Sequence, residues 1–341
     1  MRSMRLAKLL TLANCCVFAA CVSGGNEDQS SPETPTVDEN AATGSEPGSI
    51  VICCGRIARP DGPAAVFFDD FNYASAADME RNGWILRTAP GWPGVPGAQW
   101  GGNVTVGVVD PDDPKNRLIR MSASTDRSTT RQAQFCHQRK YHEGTYAARV
   151  YWRDAPVSGP DGDQVVETFY LIAPLRAPLD ENYSEVDFEY LANGGWGSPE
   201  KTLFVTTWET FRPEPEWLQI NTSRPVEGVS REGWHTLVVH VANQQVTYFI
   251  DDEPLATHGE PYYPEEPMSI NFNLWFIKDQ FAASREPRTW QQKVDWVFHA
   301  AGQLVSPAKV REKIAGFRLW GVAFQDEVPA RDPPLNSPCN F

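Results

Sequence analysis

Along most of this chain apolar and polar side chains alternate with a period of two. The runs "RLIRMSAS" (117–124), "TYAARVYW" (145–152), "TLFVTTW" (202–208), "HTLVVHV" (235–241) and "VTYFI" (246–250) each place their apolar residues on one face of an extended strand. Helical spacing is nearly absent before residue 306. There Ser306-Pro307 offers an N-cap followed by proline at the first helical position. "AKVREKIAGFRLWG" (308–321) continues with Val310, Ile314, Phe317 and Leu319 near helical spacing. With 28 Pro and 25 Gly marking the turns between strands, the pattern predicts an all-β chain. One short C-terminal helix is expected to pack on its outside, followed by an extended tail.

One strand carries chemistry. In Ser184-Glu185-Val186-Asp187-Phe188-Glu189-Tyr190 the three carboxylates project together, while Val186, Phe188 and Tyr190 face a core. No Lys or Arg offsets their repulsion. At a strand rise of roughly 3.3 Å per residue, the Cα atoms of Glu185 and Glu189 lie about 13 Å apart. Side chains leaning together bring the carboxyl groups to about 5–5.5 Å, the separation used in retaining glycoside hydrolysis. Asp187 would then hydrogen-bond the nucleophile and, as a like charge, help keep the proton on the acid. Spacing alone equally allows a solvated acidic face or a calcium site.

The residues around the motif add a resemblance. "SEVDFEYLANGGWG" resembles the active-site signature of glycoside hydrolase family 16 in its form without a β-bulge. "EGTYAARVYW" (143–152), "GWHTLVVHVANQQVTYFIDDEPLATH" (233–258), "YPEEPMSINFNLWF" (263–276) and "KVDWVFH" (293–299) are similar to further blocks of that family, in its order. The resemblance implies a β-jelly-roll sandwich of two antiparallel sheets. It implies Glu185 as nucleophile, Glu189 as acid/base and Asp187 as the residue that tunes them. Asn273 and Trp275, two residues apart in "NFNLW", match positions facing the cleft, and Gln132 and Gln134 match polar sugar contacts. Asp295 in "KVDWV" matches a position that in some members helps bind a structural calcium, the one metal expected; catalysis requires no cofactor. The chain departs from laminarinase-like members, with "DENYS" before Glu185 in place of Trp-Pro-x-x-Gly and no Met between the second and third acids.

Twelve Trp is a high count, and carbohydrate sites use such rings as apolar platforms for sugar faces. Trp196 follows the acidic strand in "NGGWG", and Trp208 ends a strand expected beside it. The loop "TAPGWPGVPGAQWGG" (88–102) presents Trp92 and Trp100 for a rim subsite. For each Trp, core packing is the competing reading. His235 in "GWHT" reads as a hydrogen-bonded structural histidine.

The N-terminus predicts export. Arg2, Arg5 and Lys8 precede an apolar stretch from Leu9 to Ala20, too short to span a bilayer. Phe18-Ala19-Ala20-Cys21 resembles a bacterial lipobox, which makes Cys21 the lipidated first residue; cleavage after Ala20 without lipid is the alternative. The expected organisation is a signal segment (1–20), an acidic tether (21–60), a catalytic domain (61–305) and a helix with tail (306–341). From Val22 to Ser49 the tether carries six acidic residues and no Lys or Arg. The net charge of −14 becomes −17 without the three basic signal residues. Such a surface excludes nucleic acid and disfavours a strongly acidic glycan. The expected partner is a neutral polysaccharide, with the membrane reached only through lipid and the protein a monomer, either on the cell surface or secreted. Cys53, Cys54, Cys136 and Cys339 remain for disulfides, with Cys53 or Cys54 to Cys339 the attractive pairing.

Two function classes stand: a retaining endo-glycosidase acting on β-linked glycan (β-1,3- or mixed-linkage glucan, or galactan), by hydrolysis or transglycosylation, and a jelly-roll lectin. The intact acidic triad separates them, because a binding module has no need of both outer Glu residues.

Overall fold

The alternating runs become strands at the predicted places. The computed structural model describes residues 65–337 and Cys339. The signal segment, the tether, Cys21, Cys53 and Cys54 lie outside the described residues. Two sheets, antiparallel throughout their strand pairs, form a jelly-roll sandwich. The first has seven strands in the order Leu218–Val226, Thr202–Arg212, Ser184–Leu191, Val165–Ala173, Ser269–Phe276, Ala133–His137 and Trp84–Leu86. The second runs Glu253–Gly259, Gln245–Ile250, Gly233–Ala242, Gly144–Trp152, Arg288–Ala301, Val66–Asp69 and Phe324–Asp326. Arg117–Thr125 also pairs with Arg288–Ala301 and carries the short strands Val104–Val109 and Thr130–Arg131.

The core is the apolar half of each alternation. Val186, Phe188 and Tyr190 are buried between the sheets beside Phe169, Phe272 and Tyr248. Phe188 lies 6.1 Å from Phe169 and 5.3 Å from Tyr248, ring centre to ring centre. Burying one such ring contributes about 2–3 kcal/mol, so the strand is held in register by its inward face. A one-residue slip would turn all three carboxylates into that core.

The predicted C-terminal helix spans Pro307–Leu319, with the Ser306 hydroxyl accepting from the Lys309 amide. Val310, Ile314 and Phe317 pack on Phe68, Val238, Trp296 and Phe298, covering the outer face of the second sheet. Leu319 departs from the expectation and is exposed, because its place at the last turn falls off the stripe set by the other three. A helix of six residues, Ala76–Arg81, was not foreseen. It is too short to show periodicity, and Ser75 accepting from the Asp78 amide starts it. Cys136 and Cys339 are buried free thiols, and Cys339 Sγ reaches the carbonyl of Ile85, the residue paired with Cys136.

Candidate active site

The outer face of the seven-stranded sheet is the cleft floor. In the register of Ser184–Leu191, Glu185 lies between Trp208 and Ile172, Asp187 between Thr206 and Tyr170, and Glu189 between Phe204 and Thr168. All nine side chains line one cleft of about 820 Å³. Loops rising around it explain why Val165–Ala173 is buried on both faces.

Each acid has a distinct environment. The Tyr183 hydroxyl donates to Glu185 Oε2. Asp187 Oδ2 accepts from Trp208 Nε1 at 2.8 Å, and Asp187 is the most buried of the three. Glu185 and Glu189 are half-buried at the cleft surface. Burial raises all three pKa values. Glu185 rises to about 7, moderated by the Tyr183 hydrogen bond. Glu189 rises to about 8, through burial first and then the charge of Glu185. Asp187 rises well above the carboxylate range through burial and then its two charged neighbours, opposed by Trp208. Among the charged neighbours, Glu185 is the one that raises Glu189.

Aromatic rings surround the acids. Trp196 sits in the turn after the acidic strand with φ 52°, in the left-handed region. Gly195 lets that turn lie flat, since a Cβ there would meet Ile277 and Leu191 side-chain atoms at 2.5 Å. The Trp196 ring is 6.0 Å from Trp275 and 5.8 Å from Phe204. Trp92, on the 88–102 loop, is 6.1 Å from Trp275. Asn273 reaches the cleft and shares a hydrogen bond with the Thr168 hydroxyl.

The remaining predicted residues divide. Gln134 lines the cleft, with its amide already held: Oε1 accepts from Arg87 Nη1 at 2.7 Å and Nε2 donates to Tyr170 at 2.8 Å. Gln132 does not line it. Fully buried, its Nε2 donates to the Pro93 carbonyl at 3.2 Å and its Oε1 accepts from the Val95 amide at 3.1 Å, fastening the Trp92 loop. Gly94 lets that amide approach, since a Cβ there would lie 2.3 Å from Gln132 Oε1. Trp100 is no rim residue; it is buried beneath the loop, with the Arg87 guanidinium 3.8 Å above its ring. His235 pairs with Asp251 Oδ2 at 2.6 Å and lies on the other sheet, consistent with a structural role.

Asp295 does not fit a calcium ion. Its Oδ1 accepts from Asn116 Nδ2 and Arg318 Nη2, each at 2.7 Å, and its Oδ2 from Arg149 Nη1 at 2.6 Å. Arg318 also donates from Nε to Asp70 at 2.8 Å. Two guanidinium groups fill the place a cation would take, and donors surround the carboxylate where calcium needs further oxygen ligands. Arg318 thereby pins the C-terminal helix to the second sheet. No cluster of three or more metal-ligating side chains occurs among the described residues.

The sequence reading missed Tyr183 and Trp217. Tyr183 stands two residues before Glu185, so strand alternation already put it on the acidic face. Trp217 follows the turn "RPEPE", where an apolar ring beside charged and proline residues has no core to enter.

Several solved structures share this architecture. One is the GH16 protein of the Bacteroides ovatus mixed linkage glucan PUL in complex with a G4G4G3G product (15% identity, 68% of this chain and 98% of that chain, TM-score 0.53). Another is a glycoside hydrolase family 16 endo-glucanase from Bacteroides ovatus in complex with G4G3G-2F-DNP (15% identity, 68% and 98%, TM-score 0.51). A third comes from work on endo-acting O-glycanases of the human gut microbiota (16% identity, 69% and 98%, TM-score 0.50). At such identities the likeness is one of fold. No curated protein matches the sequence. The family model for glycosyl hydrolases family 16 matches residues 107–298, more than half of the chain and all three cleft carboxylates, and the protein belongs to that family.

Proposed function

We propose that the protein is a retaining endo-glycosidase that hydrolyses β-linked bonds in a neutral polysaccharide of the glucan or galactan type. One observation carries the reading: three carboxyl groups with upward-shifted pKa values lie in a row on the floor of an aromatic-walled cleft. In the first step the Glu185 carboxylate attacks the anomeric carbon while Glu189 gives its proton to the departing glycosidic oxygen. The Tyr183 hydroxyl holds Oε2 of Glu185, which orients the carboxylate and leaves Oε1 as the attacking atom. In the second step the Glu189 carboxylate takes a proton from water, whose oxygen displaces the Glu185 ester and restores the original configuration. Asp187 sits between the two, held by Trp208, and positions the pair without transferring a proton to substrate.

A lectin of this fold would need the rings but not the acids. The relatives solved with G4G4G3G and G4G3G-2F-DNP support a glucan as the first substrate to try. The N-terminal segment, read as an export signal, suits a polymer too large to import.

Chemical rescue tests the roles. Glu185→Ala should lose turnover and, with azide, yield a glycosyl azide of inverted anomeric configuration. Glu189→Ala should be rescued with retained configuration on an aryl glycoside. Azide products of the opposite configurations would exchange the two roles.

A further inference from the structure

A file of four indole rings crosses the cleft. Trp208 and Trp275 stand on strands Thr202–Arg212 and Ser269–Phe276, with two strands between them, one carrying the three carboxylates. Three strand spacings of about 4.8 Å put roughly 14 Å between their backbones. Two further rings span that gap. Trp92 is 6.1 Å from Trp275, Trp217 is 6.1 Å from Trp92, and Trp208 is 6.5 Å from Trp217. The file of rings therefore runs from one wall to the other across the acidic strand. Trp208 pairs with Glu185 itself, while Trp275 lies beyond Glu189, so the crossing is diagonal over the row of acids.

The two middle rings come from opposite ends of the sheet. Trp92 lies on the loop after the edge strand Trp84–Leu86, and Trp217 precedes the other edge strand, Leu218–Val226. Both are held. The Trp92 carbonyl accepts from Arg87 Nη2 at 2.9 Å, next to the Pro93 carbonyl bonded by Gln132. Trp217 packs on Phe211 at 5.3 Å. Both rings line the cleft while remaining 65% and 50% exposed. Two exposed indoles that meet in a cleft lined by carboxylates gain nothing as core.

A sugar ring at the cleavage point must fit between the cleft floor and these rings. The apolar face of an indole stacks on the C–H face of a bare pyranose. A sugar carried as a branch on that residue would have to pass through the rings. We propose that Trp92 and Trp217 make the site selective for unbranched chains, excluding cleavage next to residues that bear a branch. The inference rests on the glycosidase reading above and names the form of polymer that reading would take.

The test compares polymers that share a backbone: a linear β-1,3-glucan with one bearing single β-1,6-linked glucosyl branches, and a linear β-galactan with its side-chain-bearing counterpart. For the backbone the wild type hydrolyses, kcat/KM should be at least about 10-fold higher on the linear form, the size of one lost aromatic contact or more. Trp92→Ala and Trp217→Ala should raise KM on the linear form and bring the two forms within about threefold. Trp92→Phe should keep the preference, which a merely structural role would not require. Far-UV circular dichroism and melting curves check folding, and Leu replaces Ala in a variant that fails to fold. A wild type indifferent to branching, or variants with an unchanged preference, would overturn the proposal and leave the glycosidase reading intact. Hydrolysis of none of the polymers would sink both.

Discussion

Replacing Glu189 with Gln should stabilise the protein at alkaline pH while removing most of its activity. Burial, and then the charge of Glu185, raise the Glu189 pKa from 4.5 to about 8. A carboxyl whose folded pKa lies above its unfolded value holds its proton more tightly in the folded state. Its contribution to stability is complete below about pH 4.5, declines as pH rises, and is lost above about pH 8. A tenfold change in proton affinity is worth about 1.4 kcal/mol, so the rise sets a ceiling of about 5 kcal/mol. Glu189 is half-buried at a wet cleft, and solvent there lowers the expected figure to about 2 kcal/mol. Gln keeps the shape and removes the charge. The melting temperature of Glu189→Gln should exceed that of the wild type by about 4–8 °C at pH 9 and by little at pH 4.5, measured by calorimetry. kcat should fall by about 10²–10⁴-fold. An equal melting difference at both pH values, or a less stable variant at pH 9, would refute a charge strained by burial.

Two further outcomes follow from the same geometry. Asp187→Asn should lower kcat about 10–10³-fold while leaving the basic limb of the kcat/KM profile near pH 8, since burial and Glu185 hold the Glu189 proton; steady-state rates from pH 5 to 10 check this. Arg318→Ala leaves Asp70 and Asp295 buried with one guanidinium fewer, and should cost about 2–4 kcal/mol in urea unfolding with kcat/KM nearly unchanged, because the pair lies on the sheet away from the cleft.

The site was legible where it obeyed a local rule. Alternation alone puts Glu185, Asp187 and Glu189 on one face and Val186, Phe188 and Tyr190 on the other, because a strand's period is fixed by backbone geometry. The same rule covers Tyr183, which stands at the next alternate position. Loop residues obey no such period. Trp92 and Trp100 share one Pro/Gly-rich loop, yet the Arg87 guanidinium at the start of that loop stacks on the buried Trp100 ring while Trp92 lines the cleft, a division that the loop's own sequence does not mark. Gln132 and Gln134 alternate correctly, but what fills the space before each depends on the loop that folds over Gln132. Asp295 matched a calcium position in sequence; the cation facing it is Arg318, contributed by a helix that the family's shared blocks do not contain. Trp217 gained its role only when a distant loop brought Trp92 to meet it.

The central claim is a double displacement on Glu185 with Glu189 as acid and base. Proton NMR of the first-formed product, recorded before mutarotation, reads the stereochemistry directly. The account predicts that hydrolysis of a β-linked oligosaccharide releases the β-anomer first, with the α-anomer appearing only as the sugar equilibrates. Immediate appearance of the α-anomer would mean that water attacks the sugar directly, and that Glu185 is not the nucleophile.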